Sequence, residues 1–489
     1  MNIFLKSLIL MILVSLLINY SQTNAQRIFP TDCDESDWFG FCVDISGDYA
    51  IVGSPMEEEK AVNAGAAYIY KYSNGIWELD SKIIPEDLTE GDFFGWSVAI
   101  NGDYAIVGAP YQVSWMGVAY IFKRVDGIWE QQDKVSDNIY GNNFGWSVAI
   151  HSDRAAVGAT GAAYVFTRNE DESWSEEGSI IETDEFVGFD FGRSVSLYNN
   201  YLVVASAQDD EVGLKAGAAY VYRIIDTAGW QFHKKLIPSD GGDNDAFGTS
   251  VAISENYIAV GSYAHMISGI NTGAVYIYDR NDELNEQAKI VAEDVFYWQG
   301  FGSSLSISDN YMLIGARNIT SSYIFNHDGT NWNQYGKISP EDINNNKSYG
   351  CSVSIEGGNL IIGACEANAN GDASGAVFFY KDYGAVEVET DKLNIPKEFL
   401  LSQNYPNPFN PSTTIKYQIP QVVSGFSLSN VTIKVYDILG REVAILVNEE
   451  QQSGYYEVKF NSNYLSSGVF YYQLRSGSFV ETKKMIHLR

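Results

Sequence analysis

Histidine is scarce in this sequence. Its five copies (His151, His233, His265, His327 and His487) are scattered over 489 residues, and no two share a spacing that makes a metal pair. There is no G-x-S-x-G elbow, no H-E-x-x-H helix, no phosphate-binding loop and no cysteine set up as a nucleophile. The usual motif-borne routes to catalysis are thus missing, and the chain reads as a non-enzyme. Only a paired-carboxylate glycosidase stays open, because acidic residues abound and nothing nominates a pair. Basic residues are also few, 31 Lys+Arg against 62 Asp+Glu for a net charge of −31. Residues 391–489 and the N-terminal leader are slightly basic, so residues 27–390 carry −34. Such a body repels nucleic acid and anionic membranes. Long apolar runs are absent beyond the first 25 residues, which excludes a membrane span in the mature chain. That first stretch pairs Lys6 with an apolar core and Thr23-Asn24-Ala25, the pattern of a secretory signal peptide cleaved before Gln26.

What the sequence has in plenty is glycine (44), tyrosine (33) and repetition. An aromatic-Gly pair recurs seven times, with its glycine at 40, 95, 145, 192, 248, 302 and 350. Thirteen residues on stands Gly53, Gly108, Gly158, Ala205, Gly261, Gly315 or Gly363. Between the two lie an apolar stretch, a turn such as Asn101-Gly102-Asp103, and a second apolar stretch, which together read as a β-hairpin. A third stretch (GAAYIY, GVAYIF, GAAYVF and kin) and a fourth, usually announced by a Trp, complete each unit. Four short strands in each of seven units, at a period of about 52 residues, predict an all-β, seven-bladed β-propeller. Unit 7 lacks the fourth stretch, whereas QRIFPTD at 26–32 aligns with SKIIPED. Residues 27–30 are therefore expected to close the ring as its last outer strand, with 385–390 as the competing candidate.

All four cysteines lie at that seam. They allow three pairings, of which Cys351–Cys365 with Cys33–Cys42 is favoured and a cross-seam pair such as Cys33–Cys351 is the alternative. An Asp stands eight residues before each motif glycine, at 32, 87, 137, 184, 240, 294 and 342. Each is expected to accept backbone N–H bonds in the inter-blade turn, ringing one face. No cofactor is expected; Asp240, Asp243 and Asp245 form the best single calcium candidate. The loops between second and third strands differ most between units and should emerge on the same face. Among them Tyr111, Trp115, Met116, His265 and Met266 are the candidate ligand contacts, as an exposed apolar patch. The axis itself is expected to hold small residues (Ser97, Ala99, Gly108) with no odd one out.

The units resemble FG-GAP repeats in their short bacterial form, over residues 26–385. That family also forms the head of integrin α chains, but their D-x-[DN]-x-D-G calcium loop is reduced here to SGDY, NGDY or HSDR, so integrin-type cation binding does not carry over. After a linker at 386–398, the text YPNPFNPSTTI, VYDILGREVAIL, LSSGVFYYQL and KKMIHLR resembles the type A sorting domain of the type IX secretion system, over 399–489. Its alternating segments predict a small Ig-like β-sandwich. The resemblance implies a Gram-negative protein, secreted or held at the outer cell surface, whose tail engages the type IX machinery. The resulting expectation is a non-catalytic propeller that binds an extracellular protein or glycan, with a propeller-based polysaccharide-degrading enzyme as the alternative.

Overall fold

The computed structural model describes residues 25–381 and 399–488, apart from 182–185, 187, 226–227, 268, 295–298, 309, 343–344, 420–428, 452–453, 463–464 and 478. The expected signal peptide (all but its last residue), the expected linker, Asp184 and the strand candidate at 385–390 lie outside the described residues. Two compact units divide at residues 390 and 391.

In the first unit the chain makes seven four-stranded antiparallel sheets. Six are built from strands in chain order, the fifth interrupted by a small separate hairpin: blades 1 to 6 run 43–83, 97–135, 147–181, 194–236, 247–290 and 301–338. The seventh joins Asn346–Glu356, Asn359–Ala367 and Ala376–Tyr380 to the N-terminal strand Gln26–Ile28, with Arg27 opposite Phe378. The first strands of neighbouring blades touch in cyclic order, the seventh meeting the first, so the sheets form a closed ring with those strands innermost. Ring closure by the N-terminus is as expected, and it removes the open ends that a linear array would leave.

The fixed thirteen-residue spacing has a steric cause. Gly53 of blade 1 lies against Gly95 of blade 2, and a Cβ on Gly53 would stand 2.0 Å from the Gly95 carbonyl oxygen. The contact recurs at every blade boundary except that between blades 4 and 5, where Ala205 takes the place, and at the seam a Cβ on Gly363 would stand 2.1 Å from the Gly40 oxygen. The aromatic before each first glycine (Phe39, Phe94, Phe144, Phe191, Phe247, Phe301, Tyr349) is wholly buried. Phe94 meets Tyr120 of the third strand edge-on at 5.4 Å, and Phe39 meets Tyr68 likewise. Further out, each blade grips its predecessor: Arg124 and Trp129 of blade 2 close on Tyr49 of blade 1, and Arg168 and Trp174 of blade 3 on Tyr104 of blade 2.

Innermost strands have one edge with no partner in their own sheet. That edge is satisfied by small polar side chains of the preceding blade: Val251 N–H donates to Ser194 Oγ, Ile253 N–H to Ser196 Oγ and Val43 N–H to Ser352 Oγ. Ser97, Ser147, Ser250 and Ser304 instead donate to the motif-glycine carbonyl of the following blade.

In the second unit, a three-stranded sheet (Leu400–Leu401, Ser412–Ile419, Gly454–Asn461) and a four-stranded sheet (Ser429–Tyr436, Glu442–Gln451, Gly468–Ser476, Phe479–His487) share one core that includes Ile415, Tyr417, Ile433, Phe460 and Tyr472. The proline-rich run makes no long strand. It is fixed by Asn404, whose N–H donates to Tyr472 Oη, and by buried Phe409.

Candidate functional site

The recurring aspartates are tied to side chains rather than to turn amides. In blade 2, Asp87 accepts Tyr120 Oη at 2.9 Å and Lys134 Nζ at 2.6 Å, with the ammonium lying over the Tyr120 ring. Asp240 has the same arrangement with Tyr276 and Lys289 in blade 5, and Asp294 with Tyr323 and Lys337 in blade 6. Burial by itself would raise the Asp87 and Asp240 carboxyls, but the lysine and tyrosine donors outweigh it and hold both below the usual range. Asp137 and Asp342 do take a backbone N–H, from Ile139 and Asn345. These carboxylates therefore pin the inter-blade loop to the next blade's outer strands.

In four blades (1, 2, 4 and 5) a further polar residue joins from the loop between second and third strands, seventeen residues after the motif glycine, where blades 3, 6 and 7 carry Ala162, Ile319 and Ala367. Glu57 reaches Lys82 at 2.8 Å, Gln112 reaches Tyr120, Asp209 reaches Lys235 at 2.9 Å, and His265 reaches Lys289 at 2.7 Å. The variable loops thus share a face with the aspartates, as expected. In blade 1 three carboxylates, Asp32, Glu57 and Glu59, converge within 4.8 Å, and the Lys82 ammonium sits among them.

The proposed calcium set does not converge. Asp240 is held by Lys289 and Tyr276, Asp243 accepts Leu214 N–H at 2.9 Å, and Asp245 takes Gly242 N–H and His265 Nδ1. Among the described residues, the blade 1 trio is the one acidic group whose ligand atoms come together.

The five candidate ligand contacts also separate. His265 is 4% exposed, clamped between Asp245 and Lys289, and unable to face a ligand. Met266 is exposed, but on blade 5, on a small hairpin of Met266–Ile267 with Ile270–Asn271. Met116 turns into a cleft of about 520 Å³ with Val118, Val135, Phe166 and Trp174. Tyr111 and Trp115, in contrast, belong to a larger assembly.

That assembly is built on the residue immediately after each motif glycine, which stands where the innermost strand begins. Around the ring this position reads Phe41, Trp96, Trp146, Arg193, Thr249, Ser303 and Cys351. Phe41 meets Trp96 at 4.8 Å, Trp96 meets Trp146 at 5.0 Å, and the Arg193 guanidinium lies 4.3 Å over the Trp146 ring. Tyr111 packs edge-on against Trp96 at 5.8 Å and Trp115 at 5.0 Å; Trp115 is 56% exposed. Four blades thus contribute an aromatic crescent ending in a guanidinium, and the other three contribute small side chains. The expectation from sequence was small residues at the axis with no odd member; the signal was the one variable column beside a constant glycine.

The cysteines are free thiols. Cys33 is buried beside Tyr68, whereas Cys42 Sγ sits in the innermost ring and accepts Val98 N–H at 3.4 Å. The structure thus puts Cys33 and Cys42 in different surroundings. Cys351 and Cys365 are neighbours: Cys365 N–H donates to Cys351 Sγ at 3.3 Å.

Six segments, 23–70, 77–122, 174–222, 230–278, 284–325 and 332–380, match the FG-GAP repeat family, together more than half of the chain. The chain belongs to the FG-GAP repeat family. Blade 3, with its minimal Thr160-Gly161 loop, falls largely between the matched segments, yet it folds as the other six do. Residues 403–487 match the secretion system C-terminal sorting domain, the type IX tail. A tail of this kind implies contact with the type IX machinery and delivery to the cell surface in Bacteroidetes-type bacteria. Similar solved structures include a protein from Lactobacillus plantarum (13% identity over 62% of this chain and 85% of that one, TM-score 0.41). Another is the WD40 domain of Toxoplasma gondii coronin (10% identity over 74% and 87%, TM-score 0.44). A comparison with curated proteins returned no match.

Proposed function

We propose that this FG-GAP repeat protein is a non-catalytic binding module, exported by its sorting tail, that takes a protein or glycan ligand on the loop-bearing face of the propeller. The observation that carries this reading is the aromatic crescent at the mouth of the ring. A scaffold of near-identical blades has no need of Trp96 and Trp146 on two blades and Thr249 and Ser303 on the opposite ones. Half-exposed tryptophan and tyrosine with a guanidinium at the edge supply broad apolar contact and directional donors, the composition of a recognition surface. The repeated carboxylates, for their part, are already engaged by lysine and tyrosine, which speaks against their use as an acid–base pair.

A glycan array and a panel of extracellular proteins, run beside an activity screen on polysaccharides, test this reading. Binding without turnover is expected, weakened at least about tenfold in the Trp96→Ala and Trp146→Ala variants, the loss of a hot-spot contact. Turnover of any polysaccharide, or binding that neither variant alters, would refute the assignment.

A further inference from the structure

We propose that Cys351 and Cys365 are joined by a disulfide when the protein is exported, while Cys33 and Cys42 remain thiols. Cys351 follows the motif glycine of the last blade, and Cys365 lies on the neighbouring strand, two residues beyond the second glycine. Their strands are paired antiparallel on both sides of the site, Tyr349 opposite Ala364 and Val353 opposite Ile362. The ladder shifts between Tyr349 and Val353, and this irregularity turns the Cys351 side chain onto its partner strand. Its sulfur then lies 3.3 Å from Cys365 N, and the two thiols are within hydrogen-bond reach of each other.

The surroundings also assign the chemistry. Burial opposes ionisation of Cys351, but the Cys365 thiol and amide, with Arg317 of the preceding blade, favour its thiolate; the same pairing pushes Cys365 up. Cys351, which is part-exposed, is therefore the attacking sulfur. Its thiolate opens the disulfide of a dithiol–disulfide oxidant of the export compartment, forming a mixed disulfide. Cys365 then displaces the oxidant's sulfur. The S–S bond forms here, two electrons and two protons pass to the oxidant, and the oxidant leaves as a dithiol. The other two thiols are unsuited to this. Burial pushes Cys33 well above the ordinary thiol value and Cys42 up to about 11; Cys33 lies beside Tyr68, and Cys42 Sγ is engaged by Val98 N–H.

Thiol mapping of the full-length exported protein decides the matter. The protein, denatured with an alkylating reagent and no reductant, should yield alkylated Cys33 and Cys42 and one linked peptide pair spanning 351 and 365. Four alkylated cysteines, or a link through Cys33 or Cys42, would overturn the proposal. As a second measure, the Cys351→Ser/Cys365→Ser variant should melt roughly 3–5 °C below the parent under oxidising conditions and level with it in reductant, as expected for closing a loop of about fifteen residues. Equal midpoints in both conditions would show that the bond is not made. If the variant fails to fold, the mapping of the parent still stands.

Discussion

At the scale of single residues, glycine does two different jobs in this chain. Gly108 sits where blades 2 and 3 touch, and a Cβ there would stand 2.0 Å from the Gly145 oxygen and 2.4 Å from Ser97 Oγ. Gly127, in an outer turn at φ +85, has nothing within 4 Å of that position. The first glycine is required by a neighbour and the second only by its own backbone. Gly108→Ala is accordingly expected to cost more than about 3 kcal/mol, because backbone must move apart in a packed core. Gly127→Ala should cost about 1 kcal/mol, the strain of an L-residue in the left-handed region. Urea titration of the two variants separates the cases, and equal losses would mean that the inter-blade contact is slack.

At the scale of the element, the innermost strand is a sheet edge whose N–H groups are met by hydroxyls of the preceding blade. Blade 1 departs from the pattern by placing Asp44 where other blades carry Ser or Ala. Its carboxylate accepts Ile100 N–H from blade 2 and Ser354 Oγ from blade 7, both at 2.8 Å. Burial nevertheless pushes it up to about 6, with Glu356 adding to the shift. Because the folded value is raised, the proton favours folding. The contribution is full below about pH 4 and is lost as pH climbs through 6. Asp44→Asn keeps the acceptor and removes the charge. It should be more stable than the parent by about 1–3 kcal/mol at pH 7 to 8 and converge with it near pH 4. A stability difference that does not vary with pH would count against this account.

These elements also show what could be read from sequence. The hairpins, the fixed spacing and the closing strand were legible because each blade buries itself against two near-copies, so that geometry is written seven times. The crescent was not, because Phe41, Trp96 and Trp146 lie about fifty residues apart and meet only through the curvature of the ring. The aspartates were recognised as scaffold but given the wrong partners: Lys134 follows Asp87 by 47 residues, on another strand, and no local pattern links them. Cys33 and Cys42, nine residues apart, look like a pair until the chain between them turns from the outer loop to the inner ring.

At the scale of the whole molecule, the two units divide the labour. The propeller carries the acidic charge and the crescent, and the tail carries the export signal. Removing 399–489 should leave the propeller folded but hold it inside the outer membrane. Cell fractionation checks this, and undiminished export of the shortened chain would show that the tail is dispensable.

The three-residue strand Gln26–Ile28 carries a consequence for how the protein is made. The seventh blade needs both residues 26–28 and residues 376–380, which emerge from the ribosome some 350 residues later. Until then the chain is an open arc, with the Trp77 face of blade 1 and Phe379 of blade 7 unable to meet. Synthesis from one end therefore cannot finish this ring blade by blade; the earliest-made segment has to wait for nearly the last.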